Sequence, residues 1–153
     1  MQNGNDNDRL SLFIKRCKHH NLKVTPQRIA IYKKLIELKN HPSADAMFQE
    51  VRRDFSNISF DTVNRTLLTF SEIGIVDVIE GRGRQRRFDP DISCHHHFHC
   101  VKCKEIIDFY SAEYDNLEIP ENIRKKFTVL SKRVVLNGIC DKCTEKEERE
   151  PFD

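Results

Sequence analysis

The sequence has 153 residues, enough for one or two small domains with modest apolar cores. Its 33% charged and 38% apolar residues fit a globular chain and exclude a disordered or membrane-embedded one, while a net charge of +2 leaves the partner open because the positive residues are unevenly placed. The opening MQNGNDNDRL lacks the basic start and apolar stretch of a secretory signal, so a cytosolic, reducing location is expected. There the six cysteines read as metal ligands before they read as disulfides.

From Asp6 to about His20, Leu10, Leu12, Phe13, Ile14 and Cys17 recur at near-helical intervals and predict a first amphipathic helix that Asn21 ends. Cys17 reads as a buried apolar residue of that helix. Thr25-Pro26 supplies an N-cap and a proline at the first helical position, opening a second helix with Ile29, Tyr32, Leu35 and Ile36 on one side. His41-Pro42 breaks it, and Ser43 caps a third helix to about Phe55, with Ala44, Met47, Phe48 and Val51 facing inward. A fourth helix begins near Ser59 with an apolar stripe of Val63, Leu67 and Phe70, and ends at Ile73-Gly74. Ile75 to Ile79 then reads as a strand, followed by a Gly/Arg turn and a return strand at Arg86-Arg87-Phe88. Helices followed by a small hairpin make a winged-helix layout.

Beyond Pro90, Ile106 to Tyr110 and Val129 to Leu136 predict strands flanking a helix from about Pro120 to Phe127. The fold class is therefore α+β, with a winged-helix domain over 1–88, a hinge over 89–94, a smaller domain over 95–143 and a charged tail over 144–153. That tail is expected to be frayed or disordered.

Cys100-x-x-Cys103 and Cys140-x-x-Cys143 offer four thiolates, which satisfy tetrahedral zinc and leave no open position, the mark of a structural site. A redox dithiol or a pair of disulfides is the alternative, but a thioredoxin-like motif would follow a strand in a βαβ pattern and would not come twice. In Cys94-His95-His96-His97-Phe98-His99, an extended backbone puts His95, His97 and His99 on one face, where Asp89 and Asp108 can join them around a divalent ion. A solvated polar strand is the alternative. Gly81 to Arg87 carries four arginines, Arg82, Arg84, Arg86 and Arg87, on a turn suited to phosphates or a minor groove, beside a helix bearing Thr62, Asn64, Arg65, Thr66 and Thr69. An exposed basic turn with no partner is its alternative, which the preceding helix-turn-helix disfavours.

In order along the chain, TPQR, HPSAD, SFDTVNRTL, RRFD, HHHFHCVKC and GICDKC resemble the ferric-uptake-regulator (Fur) family of metalloregulators over nearly the whole sequence. The resemblance implies an N-terminal winged-helix domain, a C-terminal dimerisation domain and recognition of a palindromic double-stranded operator by a homodimer. It places structural zinc on Cys100, Cys103, Cys140 and Cys143, and a regulatory ion, Fe2+ or Mn2+, on His41, Asp89, His95, His97 and Asp108. Operator contacts fall to Ser59, Asp61, Thr62, Asn64, Arg65, Arg82, Arg84 and Arg86. Aspartate at both Asp89 and Asp108 resembles the peroxide-sensing branch, in which iron-catalysed oxidation of a histidine ligand, here His41 or His95, releases the repressor from DNA. Asn64 stands where many relatives carry tyrosine. Lys132 and Cys94 stand where a further metal site of some members uses histidines, so no such site is expected.

The reading is thus a non-enzymatic repressor, with a regulator of iron, zinc or manganese uptake as its alternative. A zinc hydrolase or nucleobase deaminase would carry a His-x-Glu beside its cysteines, and none occurs. A zinc-ribbon interaction module would leave the His/Asp set unexplained.

Overall fold

The computed structural model describes residues 6–80 and 85–149, and the chain divides into two units between Ile92 and Ser93. Among the described residues no helix is long and apolar enough to cross a membrane.

The first unit comprises α1 (Asp6–His19), α2 (Pro26–Leu38), α3 (Ala44–Val51), α4 (Phe60–Glu72) and the antiparallel hairpin β1 (Asp77–Glu80) with β2 (Arg86–Asp89). Three of the helices open on hydroxyl caps, because the first backbone N–H groups of a helix have no partner inside it. Thr25 Oγ1 accepts from Arg28 N, Ser43 Oγ from Ala46 N and Ser59 Oγ from Thr62 N. Left-handed residues stop two helices: Asn21 follows α1 at φ 54°, and Lys39 ends α2 at φ 44°. Gly74, at φ 72°, turns the chain from α4 toward the wing, a conformation that glycine adopts without steric cost.

The apolar faces of these helices close one core around Phe13, Tyr32 and Phe70. Phe13 stacks on Tyr32 at 4.5 Å between ring centroids and meets Phe70 edge-on at 5.3 Å. Leu35, Met47, Val63, Leu67 and, from the wing, Phe88 complete it. Cys17 lies in the same core, where burial pushes its thiol pKa up. The wing strand is shorter than expected at its start, since Ile75 and Val76 sink into the core before pairing begins at Asp77.

The second unit is a three-stranded sheet with three short helices. Strand β3 (His96–Cys100) lies between β4 (Ile106–Phe109), antiparallel to it, and β5 (Val135–Gly138), parallel to it. Between β4 and β5 run α5 (Ala112–Asp115) and α6 (Glu121–Arg124), and α7 (Asp141–Arg149) follows β5.

Three local expectations are corrected here. The strand expected over Val129 to Leu136 begins only at Val135 and runs to Gly138. Its register is set by Gly138 lying opposite Cys100, where the Phe98 ring occupies the space a side chain would need: a Cβ on Gly138 would sit 3.0 Å from Phe98 Cζ. The helix expected from Pro120 to Phe127 is a single turn at Glu121–Arg124. The charged stretch expected to fray from Thr144 is helical as far as Arg149, because the Cys140 carbonyl accepts from Cys143 N and Thr144 N and so nucleates α7 on the second cysteine pair. Residues 150–153 lie outside the described residues.

Phe70 joins the aromatic cluster to the inner face of α4 and is fully buried. Phe70→Ala is therefore expected to cost about 3–5 kcal/mol, the usual range for emptying a buried phenylalanine site. Urea unfolding of the two proteins side by side checks this, with the midpoint falling and the slope unchanged.

Candidate metal centres and nucleic-acid surface

Strand β3 ends at Cys100, the following turn carries Cys103, and β5 leads directly to Cys140 and Cys143 at the start of α7. Cys100 Sγ lies 3.9 Å from Cys143 Sγ, and Cys103 Sγ lies 3.7 Å from Cys140 Sγ. Four sulfurs each about 2.3 Å from one zinc at tetrahedral angles stand about 3.8 Å apart. The set therefore fits zinc, while both separations are far beyond the roughly 2.05 Å of a disulfide bond. Cys140 N donates to Cys100 Sγ at 3.4 Å, which draws the Cys100 thiol down to about 6 and favours its thiolate. Desolvation and the neighbouring sulfurs push Cys143 up to about 12, so in the absence of a cation the four thiols resist ionising together. A divalent ion removes that conflict.

In the same unit His95 and His97 are fully buried, which excludes a solvated strand. Their Nε2 atoms approach to 2.9 Å. Asp108, opposite His97 in the β3–β4 register, puts Oδ1 3.6 Å from His95 Nε2 and 3.4 Å from His97 Nε2. Ligands roughly 2.1 Å from a shared ion stand about 3.0–3.4 Å apart, so this trio suits a divalent cation. His95 Nδ1 lies 2.8 Å from the Ser93 carbonyl, which fixes the proton on Nδ1 and turns the Nε2 lone pair toward Asp108 and His97. Ser93's part is invisible in the sequence, since a backbone carbonyl has no residue signature.

The first unit brings together a second pair. The wing strand β2 clamps the link between α2 and α3: Phe88 N donates to the Pro42 carbonyl at 3.0 Å, Arg87 Nη1 donates to the His41 carbonyl at 3.2 Å, and Ser43 bridges Arg87. His41, held at φ 49°, thereby presents Nε2 3.6 Å from Asp89 Oδ2, both residues being buried. The Asp91 N–H occupies the other carboxylate oxygen, Oδ1, at 2.8 Å.

His96 points to the opposite face of β3 from His95 and His97. It accepts from Val134 N at 3.2 Å and sets Nε2 3.1 Å from Asp115 Oδ1, so it ties the strand to α5 and to the approach of β5. The Cys94 thiol donates to the same carboxylate oxygen at 3.2 Å, and this bond raises its pKa. Lys132 donates to the Leu117 carbonyl.

On α4 the polar candidates are largely engaged with one another. Arg65 Nε pairs with Asp61 Oδ2 at 2.9 Å, and the Ser59 and Thr62 hydroxyls share a hydrogen bond of 2.9 Å. Asn64 is half-buried, and Arg86 is exposed at the start of β2. Arg82 and Arg84 lie outside the described residues.

Residues 19–137 match the ferric uptake regulator family. The chain belongs to that family. Among its relatives is the peroxide-responsive repressor PerR of Staphylococcus saprophyticus, 36% identical over 133 residues that cover 87% of this chain and 90% of the relative. The Campylobacter jejuni peroxide stress regulator superposes with a TM-score of 0.65 at 30% identity, covering 85% of this chain and 98% of that one. The Helicobacter pylori ferric uptake regulator superposes with a TM-score of 0.72 at 22% identity, over 90% of this chain and 93% of that one, a likeness of fold. The winged-helix unit is thus that of a Fur-family metalloregulator, and its sibling unit carries the four-cysteine set suited to zinc.

Cys140→Ser removes one of four sulfurs and breaks the tie between the end of β5 and the end of β3. The variant is expected to purify without zinc and to lose the cooperative melting of residues 93–149, while the helical core of the first unit persists. Metal analysis with hydrogen exchange resolved by segment checks both, and a zinc-free variant with an intact second unit contradicts the assignment.

Proposed function

We propose that this Fur-family protein is a homodimeric, metal-dependent transcriptional repressor that binds a palindromic DNA operator and senses hydrogen peroxide through a bound ferrous ion. The observation that carries the reading is the buried His95, His97 and Asp108 trio with His95 turned by Ser93, in a chain whose relatives include proteins named as peroxide-responsive repressors.

In this reading the regulatory ion, Fe2+ or Mn2+, is held by His41, Asp89, His95, His97 and Asp108, while zinc stays on the four cysteines. Three imidazoles and two carboxylates are borderline and hard donors, which accept iron or manganese where thiolates would select zinc. An ion shared by His41 and Asp89 with the other three ligands stabilises one arrangement of the two units, and it favours DNA binding by as much as its affinity for that arrangement exceeds its affinity for others. When bound, ferrous iron would supply the redox chemistry toward peroxide; in the net change one H2O2 and one imidazole C–H give one oxygenated imidazole and one water, the ring losing the two electrons that the peroxide gains. His41 and His95 are the side chains expected to gain the oxygen in this proposal; an oxidised imidazole would be a poorer ligand, and the ion-stabilised arrangement would be lost.

Ser59, Asp61, Thr62, Asn64, Arg65 and Arg86, with Arg82 and Arg84 from the turn, form the operator surface of this proposal. Homodimerisation is supported by the second unit's exposed apolar residues, among them Phe127 at 63%, Leu130 at 92% and Val135 at 45%, and by β5 standing at the edge of its sheet.

The test is intact-mass and peptide mapping of anaerobically iron-loaded and manganese-loaded protein, each given a small excess of hydrogen peroxide. One added oxygen atom on His41 or His95 is expected in the iron sample alone. If neither sample gains oxygen at a histidine, peroxide sensing is removed and a regulator of metal uptake stands in its place.

A further inference from the structure

Phe60, the first residue of α4, is 40% exposed, and among the described residues it is the one exposed phenylalanine or tyrosine of the first unit. It sits at the rim of the helical core rather than inside it: Phe13, Phe70 and Phe88 are fully buried, whereas Phe60 rests on Phe48, which is partly buried against that core, and keeps its ring exposed. Its ring is nonetheless held in place. It meets the Phe48 ring edge-on at 6.0 Å and 88°, and the guanidinium of Arg52 stands 5.5 Å from the centroid of that same Phe48 ring. An exposed aromatic fixed between a helix cap and a second aromatic loses little freedom when it is covered.

Its neighbours on α4 sharpen the point. Asp61 is paired with Arg65 and Ser59 with Thr62, so each of these polar groups must give up an existing bond before it reads a base edge. Phe60 has no such bond to give up. In the major groove the apolar feature that distinguishes one base from the rest is the thymine 5-methyl group, and phenylalanine is among the side chains that pack on it. The first turn of a recognition helix is the part that meets base edges. Arg52, exposed beside the Phe48 ring, carries the positive charge that a phosphate beside such a contact accepts.

The geometry points to Phe60 as a specificity-determining residue, its ring packed on a thymine methyl group in the major groove, steadied by Phe48 and flanked by Arg52 on the phosphate backbone. The inference rests on the DNA-binding reading above and names the base feature that the helix reads.

The experiment starts from a randomised duplex pool, enriched on wild-type protein with zinc and manganese(II) present. Each thymine of the recovered duplex is then replaced singly by deoxyuridine, which deletes only the methyl group, and affinities are measured for the wild type, Phe60→Ala and Phe60→Leu. Wild type is expected to lose about fourfold at one thymine in each half-site, the equivalent of one buried methyl-sized group. Phe60→Ala binds the thymine and deoxyuridine duplexes alike, and Phe60→Leu keeps part of the preference. Circular dichroism and melting of Phe60→Leu confirm that the helix is intact. Indifference of the wild type to every deoxyuridine, or an unchanged thymine preference in Phe60→Ala, overturns the inference while leaving DNA binding in place. Failure of the wild type to enrich any duplex overturns the DNA-binding reading, and this inference with it.

Discussion

Four sulfurs at the end of one strand and the start of one helix hold up a unit that has almost no apolar interior. Among the described residues of the second unit, Ile106 is the buried hydrophobic residue beyond Cys100 and Cys140 themselves, and the other buried side chains there are His95, His96, His97 and His99. A sheet of three short strands needs a hydrophobic face or a staple to be stable in water. The four-cysteine set is that staple: it fixes Gly138 opposite Cys100, closes β5 onto β3 in parallel, and starts α7 on the Cys140 carbonyl. The intervening segment is long and carries its apolar residues outward, which suits a surface completed by a second copy rather than a core completed from within.

The same strand links the cysteine set and the His/Asp set. β3 ends in a zinc-type cysteine and carries His97, with His95 just before it, so the geometry of these histidine donors depends on the strand that the sulfurs anchor. Burying imidazoles costs free energy unless each finds a partner, and each face of β3 provides carboxylate or carbonyl partners: Asp108 and Ser93 on one side, Asp115 on the other. The two faces have separate tasks. His96 fastens the strand, and His95 with His97 present lone pairs.

In the first unit the wing is more than a basic turn. By pairing with Pro42 and Ser43, β2 fixes a left-handed His41 against Asp89, residues separated by most of the DNA-binding unit in sequence. The strand that would lead a turn toward DNA is therefore the strand that positions His41 and Asp89, the two donors of the first unit in the proposed ligand set.

The helices α1 to α4 and the hairpin were legible because each carries a local signal: apolar spacing near 3.6, a hydroxyl cap at Thr25, Ser43 and Ser59, a left-handed or glycine stop, and a β-branched run before the turn. The zinc set was legible from two repeated spacings, and the His/Asp set from an unusual density of histidine together with the family resemblance. What the sequence could not show was anything that depends on pairing across the chain. The start of β5 at Val135 is a matter of register against β3, α5 is too short to leave a periodic pattern, and α7 is a charged segment whose helicity is nucleated by the cysteine pair before it. Local chemistry determined which residues are candidate metal donors. Only the tertiary structure decided that β2 holds His41 to Asp89, that Asp108 on β4 meets His95 and His97, and that Phe60 rests on Phe48 with its ring exposed, because each of these brings together groups from different elements that no local pattern encodes.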